Sequence, residues 1–154
     1  IMNKLIFFFL IFSLYVTSVY SDIIKPNTKI KPYNVVEIQL ASLKNNDKPE
    51  KDFGIEQTWE FAHPENKVNT GPLNKFKKML KNEIYSILLN HKDHKIEEVF
   101  NNKRIAIYDI IILGSDNFYY EFKWQVEKYD GKGTLNNCWL TTAVSNPVSL
   151  GASI

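Results

Sequence analysis

Cysteine is almost absent, with Cys138 alone in 154 residues. No intrachain disulfide can form, so the fold has to rest on its apolar core. Beside Trp139, in a strand-like run, Cys138 reads as a small buried hydrophobe rather than a nucleophile. An excess of charge is missing too: 19 basic residues stand against 17 acidic ones, a formal net charge of +2. A near-neutral chain has no strong electrostatic reason to bind nucleic acid. Lys75, Lys77, Lys78 and Lys81 cluster, but among apolar residues at helical spacing, which describes a solvated helix face. There is no permitted Asn-x-Ser/Thr sequon, no phosphate-cradling glycine loop and no serine in a nucleophile-elbow context.

Long apolar runs are scarce, and the one present stands near the N-terminus. Lys4 precedes Leu5 to Tyr20, interrupted only by Ser13, Thr17 and Ser18, and Val19-Tyr20-Ser21 closes the run. A positive charge, an apolar stretch and then small residues match a secretory signal peptide, cleavable before Asp22. The run is short for a spanning helix, which needs about 20 residues. A retained N-terminal anchor is the competing reading. Entry to the secretory route is the expected localisation, secreted or lumenal. Onward import into a plastid-type organelle and membrane anchoring are the alternatives. Removing residues 1–21 from 154 leaves 133, enough for one domain with its own core.

Residues 22–32 read as a polar linker. Asn34, with Glu37 three residues on, suggests a capping box ahead of a helix carrying Val36, Leu40 and Leu43 on one face. Asn45 to Pro49 ends it. Ile55 to Ala62 predicts a second helix, broken by His63-Pro64-Glu65-Asn66, and Val68 to Gly71 a loop. A third helix begins at Pro72, with a stripe of Leu73, Phe76, Met79, Leu80 and Ile84.

Strand patterns follow. Tyr85–Asn90 and Lys95–Phe100 predict short strands, and Arg104–Leu113 an isoleucine-rich one. In the next, Phe118, Tyr120, Phe122, Trp124 and Val126 alternate with Tyr119, Glu121, Lys123, Gln125 and Glu127, an aromatic face against a charged one. Cys138–Val144 is the last strand, and 146–154 a flexible small-residue tail. Helices segregated from hairpin-linked strands make an α+β class: three N-terminal helices on a curved antiparallel sheet.

Several blocks in this order resemble a known family. They are Val35 to Asp47, then Gly54-Ile55-Glu56 leading into Trp59-Glu60-Phe61-Ala62, then Pro72-Leu73-Asn74-Lys75-Phe76, Tyr85 to Lys92, and Cys138-Trp139-Leu140-Thr141. Together they are similar to an uncharacterised group of small domains, a domain of unknown function of photosynthetic eukaryotes and bacteria. That group belongs to the nuclear transport factor 2-like (cystatin-like cone) superfamily. The resemblance covers roughly residues 33–145 and contains no catalytic signature. It implies a cone-shaped fold with a pocket at its wide end, in a superfamily that holds both isomerase- or dehydratase-type enzymes and binding proteins.

Trp59, Phe61, Tyr85, Tyr120, Phe122, Trp124 and Trp139 are the aromatics expected to line such a pocket, or else to fill the cone as core. Asp109 is the best catalytic candidate, with His63 and Glu60 weaker ones. It shares strand parity with Ile105, Ile107 and Ile111, and a carboxylate there is costly unless it is functional, paired with Arg104 or a lysine, or solvent-exposed. His63, and His91 and His94 around Asp93, lack zinc-site spacing and read as surface or structural histidines. No metal or cofactor is called for. The leading expectation is a non-catalytic binding or interaction module for an unknown protein or a small apolar ligand. A homodimer through the sheet is possible, and membrane contact follows only if residues 5–20 are retained. The alternatives are a small cofactor-free isomerase or dehydratase and a membrane-anchored accessory subunit.

Overall fold

The computed structural model describes residues 22–152. Four helices precede a five-stranded antiparallel sheet that does not close, in an α+β arrangement. The expected signal segment, residues 1–21, lies outside the described residues. Among those described, no helix is long and apolar enough to cross a membrane.

Helix α1 spans Pro32–Lys44 and buries Pro32, Val35, Val36, Gln39, Leu40 and Leu43. That spacing is one face of a 3.6-residue helix. Its N-cap is Lys31 rather than Asn34, because Pro32 already has the fixed φ of a first helical position. Helix α2, Phe53–Glu60, packs on α1 at an unusually close approach. A Cβ on Gly54 would stand 2.2 Å from the Ser42 carbonyl oxygen and 2.9 Å from Asn46 Cα. Asn46 Oδ1 accepts from the Ile55 N–H and closes the junction.

Where three helices are expected, there are four. Pro64–Thr70 forms α3 in the stretch read from the sequence as a break and a loop. Pro64 begins this helix instead of ending α2, and His63 Nδ1 accepts from the Glu65 N–H to cap it. Helix α4, Leu73–Leu80, then buries Phe76 and Leu80. Lys77 Nζ donates to Glu56 Oε1 at 2.6 Å, and Lys81 Nζ lies 2.7 Å from Asp52 Oδ1, so two ion pairs tie α4 to the start of α2.

Tyr85–Asn90, expected as a strand, contains a single 3-10 turn, Ser86–Leu88. Asn82 Oδ1 accepts from the N–H groups of Ile84 and Tyr85, and the Asn90 N–H donates to the Leu43 carbonyl. The segment's backbone is thus satisfied locally and against α1, which leaves it no need of a strand partner.

The sheet meanders through β1 (Asp93–Asn101), β2 (Ile105–Leu113), β3 (Phe118–Lys128) and β4 (Trp139–Val144), in that order across the sheet. Strand β3 is longer than β4. Trp124–Lys128 pairs with β4, which leaves the backbone of Phe118–Glu121 free. Val148–Ala152, expected as a loose tail, fills that place as β5. The linker is docked as well: Gln57 clamps the Ile24 backbone through both its side-chain atoms, and Ile30 packs on the core.

The aromatic alternation on β3 is present, with one correction. Phe122, Trp124 and Val126 are fully buried, whereas Phe118 is 43% exposed and Tyr120 is only partly buried. These two lie at the hairpin end, where the Tyr120 hydroxyl donates to Asp116 in the turn. Full burial of an apolar side chain is worth about 1.5–3 kcal/mol. An exposed ion pair such as Lys123–Asp109 is worth about 0–1 kcal/mol, so burial and not charge sets the register.

Gly54→Ala tests the α1–α2 junction. Alanine gains about 1 kcal/mol of helix propensity, but the clash is with backbone and no rotamer relieves it. The expected net result is a loss of about 1–3 kcal/mol, read as a lower urea midpoint at unchanged m-value. An equal or higher midpoint contradicts the close approach.

Candidate functional site

A pocket of about 270 Å³ opens between the helices and the β3–β4 side of the sheet. Its apolar wall comes chiefly from Leu43 on α1, Phe76, Met79 and Leu80 at α4, Leu88 in the 3-10 turn, and Trp124 on β3. Gln39 and Thr141 form a polar floor.

Gln39 is 1% exposed and sits on the apolar stripe of α1. Its Oε1 accepts from Thr141 Oγ1 at 2.6 Å and from Trp124 Nε1 at 3.2 Å. Its Nε2 donates to the Thr58 carbonyl at 3.0 Å. The indole N–H can only donate, which settles which end of the amide faces it. The second wall is built the same way. Asn66 Nδ2, on α3, donates to the carbonyls of Thr141 and Thr142, and Ala62 bridges Thr141 in parallel. The Tyr85 hydroxyl donates to Asn146 Oδ1 at 3.3 Å at the rim.

Of the seven aromatics expected in the pocket, the structure brings Tyr85 and Trp124 to it. Phe61 and Phe122 are fully buried core. Trp59 meets Phe76 at a tilt, with ring centroids 5.0 Å apart and Lys67 over its ring, one layer behind the lining. Trp139 carries Lys128 over its ring, and Tyr120 belongs to the hairpin end. Missing from the sequence reading are Gln39, Asn66, Thr70 and Thr141. Gln39 had a legible signal, as a polar residue at a stripe position. Asn66 and Thr70 had none once their segment read as a loop.

Asp109 keeps its parity with Ile105, Ile107 and Ile111, but that face is the half-exposed one. Ala106, Tyr108, Ile110 and Ile112 point inward. Asp109 stands opposite Lys123, whose Nζ donates to its Oδ1 at 2.7 Å, and this hydrogen bond raises the lysine's pKa. It does not line the pocket. The lining contains no carboxylate, histidine, lysine or arginine. Burial, and then Glu98, raise the pKa of the buried Tyr108 phenol on β2, and it too stands outside the lining.

The histidines hold structure. His91 is 2% exposed, and its Nδ1 lies 2.7 Å from the Leu88 carbonyl. Since a carbonyl only accepts, Nδ1 carries the proton. The bare Nε2 then accepts from His94 Nδ1 at 2.8 Å, and His94 Nε2 lies 3.4 Å from Glu37 Oε2. Burial pulls the His91 pKa down to about 4, outweighing the Leu88 hydrogen bond. No group of three or more His, Cys, Asp or Glu able to hold a metal occurs among the described residues.

The unfolded chain protonates His91 near 6.5 and the folded one near 4, so acid favours unfolding between these values and His91 costs nothing above them. Long-range nitrogen–proton NMR should show His91 as the Nδ1–H tautomer, neutral until pH approaches about 4. A charged His91 at pH 6 contradicts this packing. Comparison of the chain with protein-family models, with curated proteins and with solved structures returns no match.

Proposed function

We propose that the domain is a binding module that takes a small, neutral, largely apolar ligand between its helices and its sheet. One observation carries the reading. Each block that resembles the cone-type family contributes to the lining: Gln39 and Leu43, Ala62, Phe76, Tyr85 and Leu88, and Thr141. Blocks far apart in the chain thus converge on one cavity. The finer architecture, a nuclear transport factor 2-like cone, belongs to this proposal and is supported by the same convergence.

The chemistry of the lining favours the ligand class. Apolar walls reward burial of an uncharged body, and a few neutral polar groups orient it. With no cation or anion in the wall, a charged ligand would lose hydration without compensation. An isomerase or dehydratase needs an acid–base group within reach of substrate. The lining offers only the Tyr85 hydroxyl, and Asp109 lies on the other face of the sheet. Binding without chemistry is the simpler use of this cavity. The Lys4–Ser21 pattern supports delivery by the secretory route, and a native N-terminus at Asp22 is its expected signature.

The Trp124 indole N–H lies at the pocket and reports on it by NMR. Titration with naphthalene-sized neutral aromatics should shift this resonance and leave that of Trp139 in place. Ala143→Trp, at an exposed lining position, should weaken the effect at least about tenfold, a change of 1.4 kcal/mol, without altering the fold. Tighter binding of the matching carboxylates or amines, or an unmoved Trp124 signal, overturns the proposal.

A further inference from the structure

Strand β1 borders the sheet, and among the described residues it pairs with β2 alone. Its outer backbone groups therefore lack a strand partner. Val99 and Phe100, at 55% and 47% exposed, lie on the same strand. At its centre runs His94-Lys95-Ile96-Glu97-Glu98, with basic side chains on one side of Ile96 and acidic ones on the other. Lys95 and Glu97 are exposed on the outer face, while Ile96 packs partly against the core.

We propose that β1 pairs antiparallel with β1 of a second copy about a two-fold axis through Ile96, joining two sheets edge to edge. This is independent of the pocket reading. Paired residues of neighbouring strands point to the same face. A two-fold axis perpendicular to the sheet keeps each subunit's faces, so it must pass through a residue. Through Ile96 it sets Lys95 against Glu97 of the second copy on the outer face, a contact made twice, while on the inner face Glu98 lies across from His94, which His91 and Glu37 already hold. Ile96 meets its own copy between them. Centring on Lys95 instead sets lysine on lysine and Asp93 on Glu97. Centring on Glu97 sets glutamate on glutamate. Centring on His94 overlaps only Asp93 to Lys95 within the strand. Opposite charges directly across a ladder favour pairing and like charges oppose it, so the charge order selects one register. The bulge at Val99 ends the regular run beyond it.

Lys95 Nζ already lies 3.2 Å from Glu97 Oε2 of its own chain, so the test has to separate contacts within a chain from contacts between chains. Full chains in light and nitrogen-heavy isotopic forms are mixed and treated with a zero-length carbodiimide, which joins a lysine to a touching carboxylate. The expected product links Lys95 of one isotopic form to Glu97 of the other, and the mixture sediments with a dimer. Glu97→Lys should weaken the dimer about tenfold while amide resonances away from β1 stay in place. Exchanging both charges, K95E with E97K, should restore both the dimer and a mixed-isotope link between the same two positions. A monomeric chain, β1 links within one isotopic form only, a dimer as tight with Glu97→Lys as without it, or failure of the exchange to restore pairing each overturns the proposal.

Discussion

The side-chain amide of Gln39 ties two helices to the sheet. It reaches from α1 to Thr141 on β4, to Trp124 on β3 and to the backbone of α2 at Thr58. All its partners are buried, so none can turn to water if the amide is lost. An orphaned buried polar group costs about 1–3 kcal/mol, and here several would be orphaned together. The apolar contacts around it hold the layers against each other without direction. The amide supplies direction, fixing how far along the sheet α1 lies.

That constraint also makes the pocket. With Gln39 hydrogen-bonded downward into the sheet, α1 meets β3 and β4 there, and Leu43 one turn on belongs to the core and also lines the cavity. Helix α3 closes the cavity from the other side, because Asn66 is hydrogen-bonded to the backbone of β4. Neutral hydrogen-bonding groups satisfy one another inside an apolar shell. Charged groups are kept elsewhere: Asp109 with Lys123 on the outer sheet face, Asp52 and Glu56 with the lysines of α4. The proposed role, binding an uncharged ligand without proton transfer, rests on this separation.

Much of the fold was legible, since periodicity reports burial. Val36, Leu40 and Leu43 announce α1, and Phe122, Trp124 and Val126 announce the inward face of β3. The illegible parts share a cause. At Pro64 the same residue type can end one helix or begin the next, and only the His63 cap decides. At 148–152 a weak apolar pattern becomes a strand because β3 happens to offer unpaired backbone. At 85–90 an apolar run becomes a turn because Asn82 and Leu43 satisfy its backbone. Of the pocket, the aromatics Tyr85 and Trp124 were visible as candidates, while Asn66 and Thr141 were not. A small polar residue carries no sign of what it will face.

The amino-acid order by itself determined the α+β class, the run of helices before strands, and the reliance on an apolar core without disulfides. These depend on residue type and spacing along the chain, which local sterics and burial translate directly into structure. Tertiary structure alone decided that Gln39 and Thr141, more than a hundred positions apart, share a hydrogen bond, and that Asp109 faces outward from its strand. It alone decided that five separated blocks enclose one cavity. Those outcomes depend on which surfaces meet across the chain, and no local pattern encodes a distance between elements.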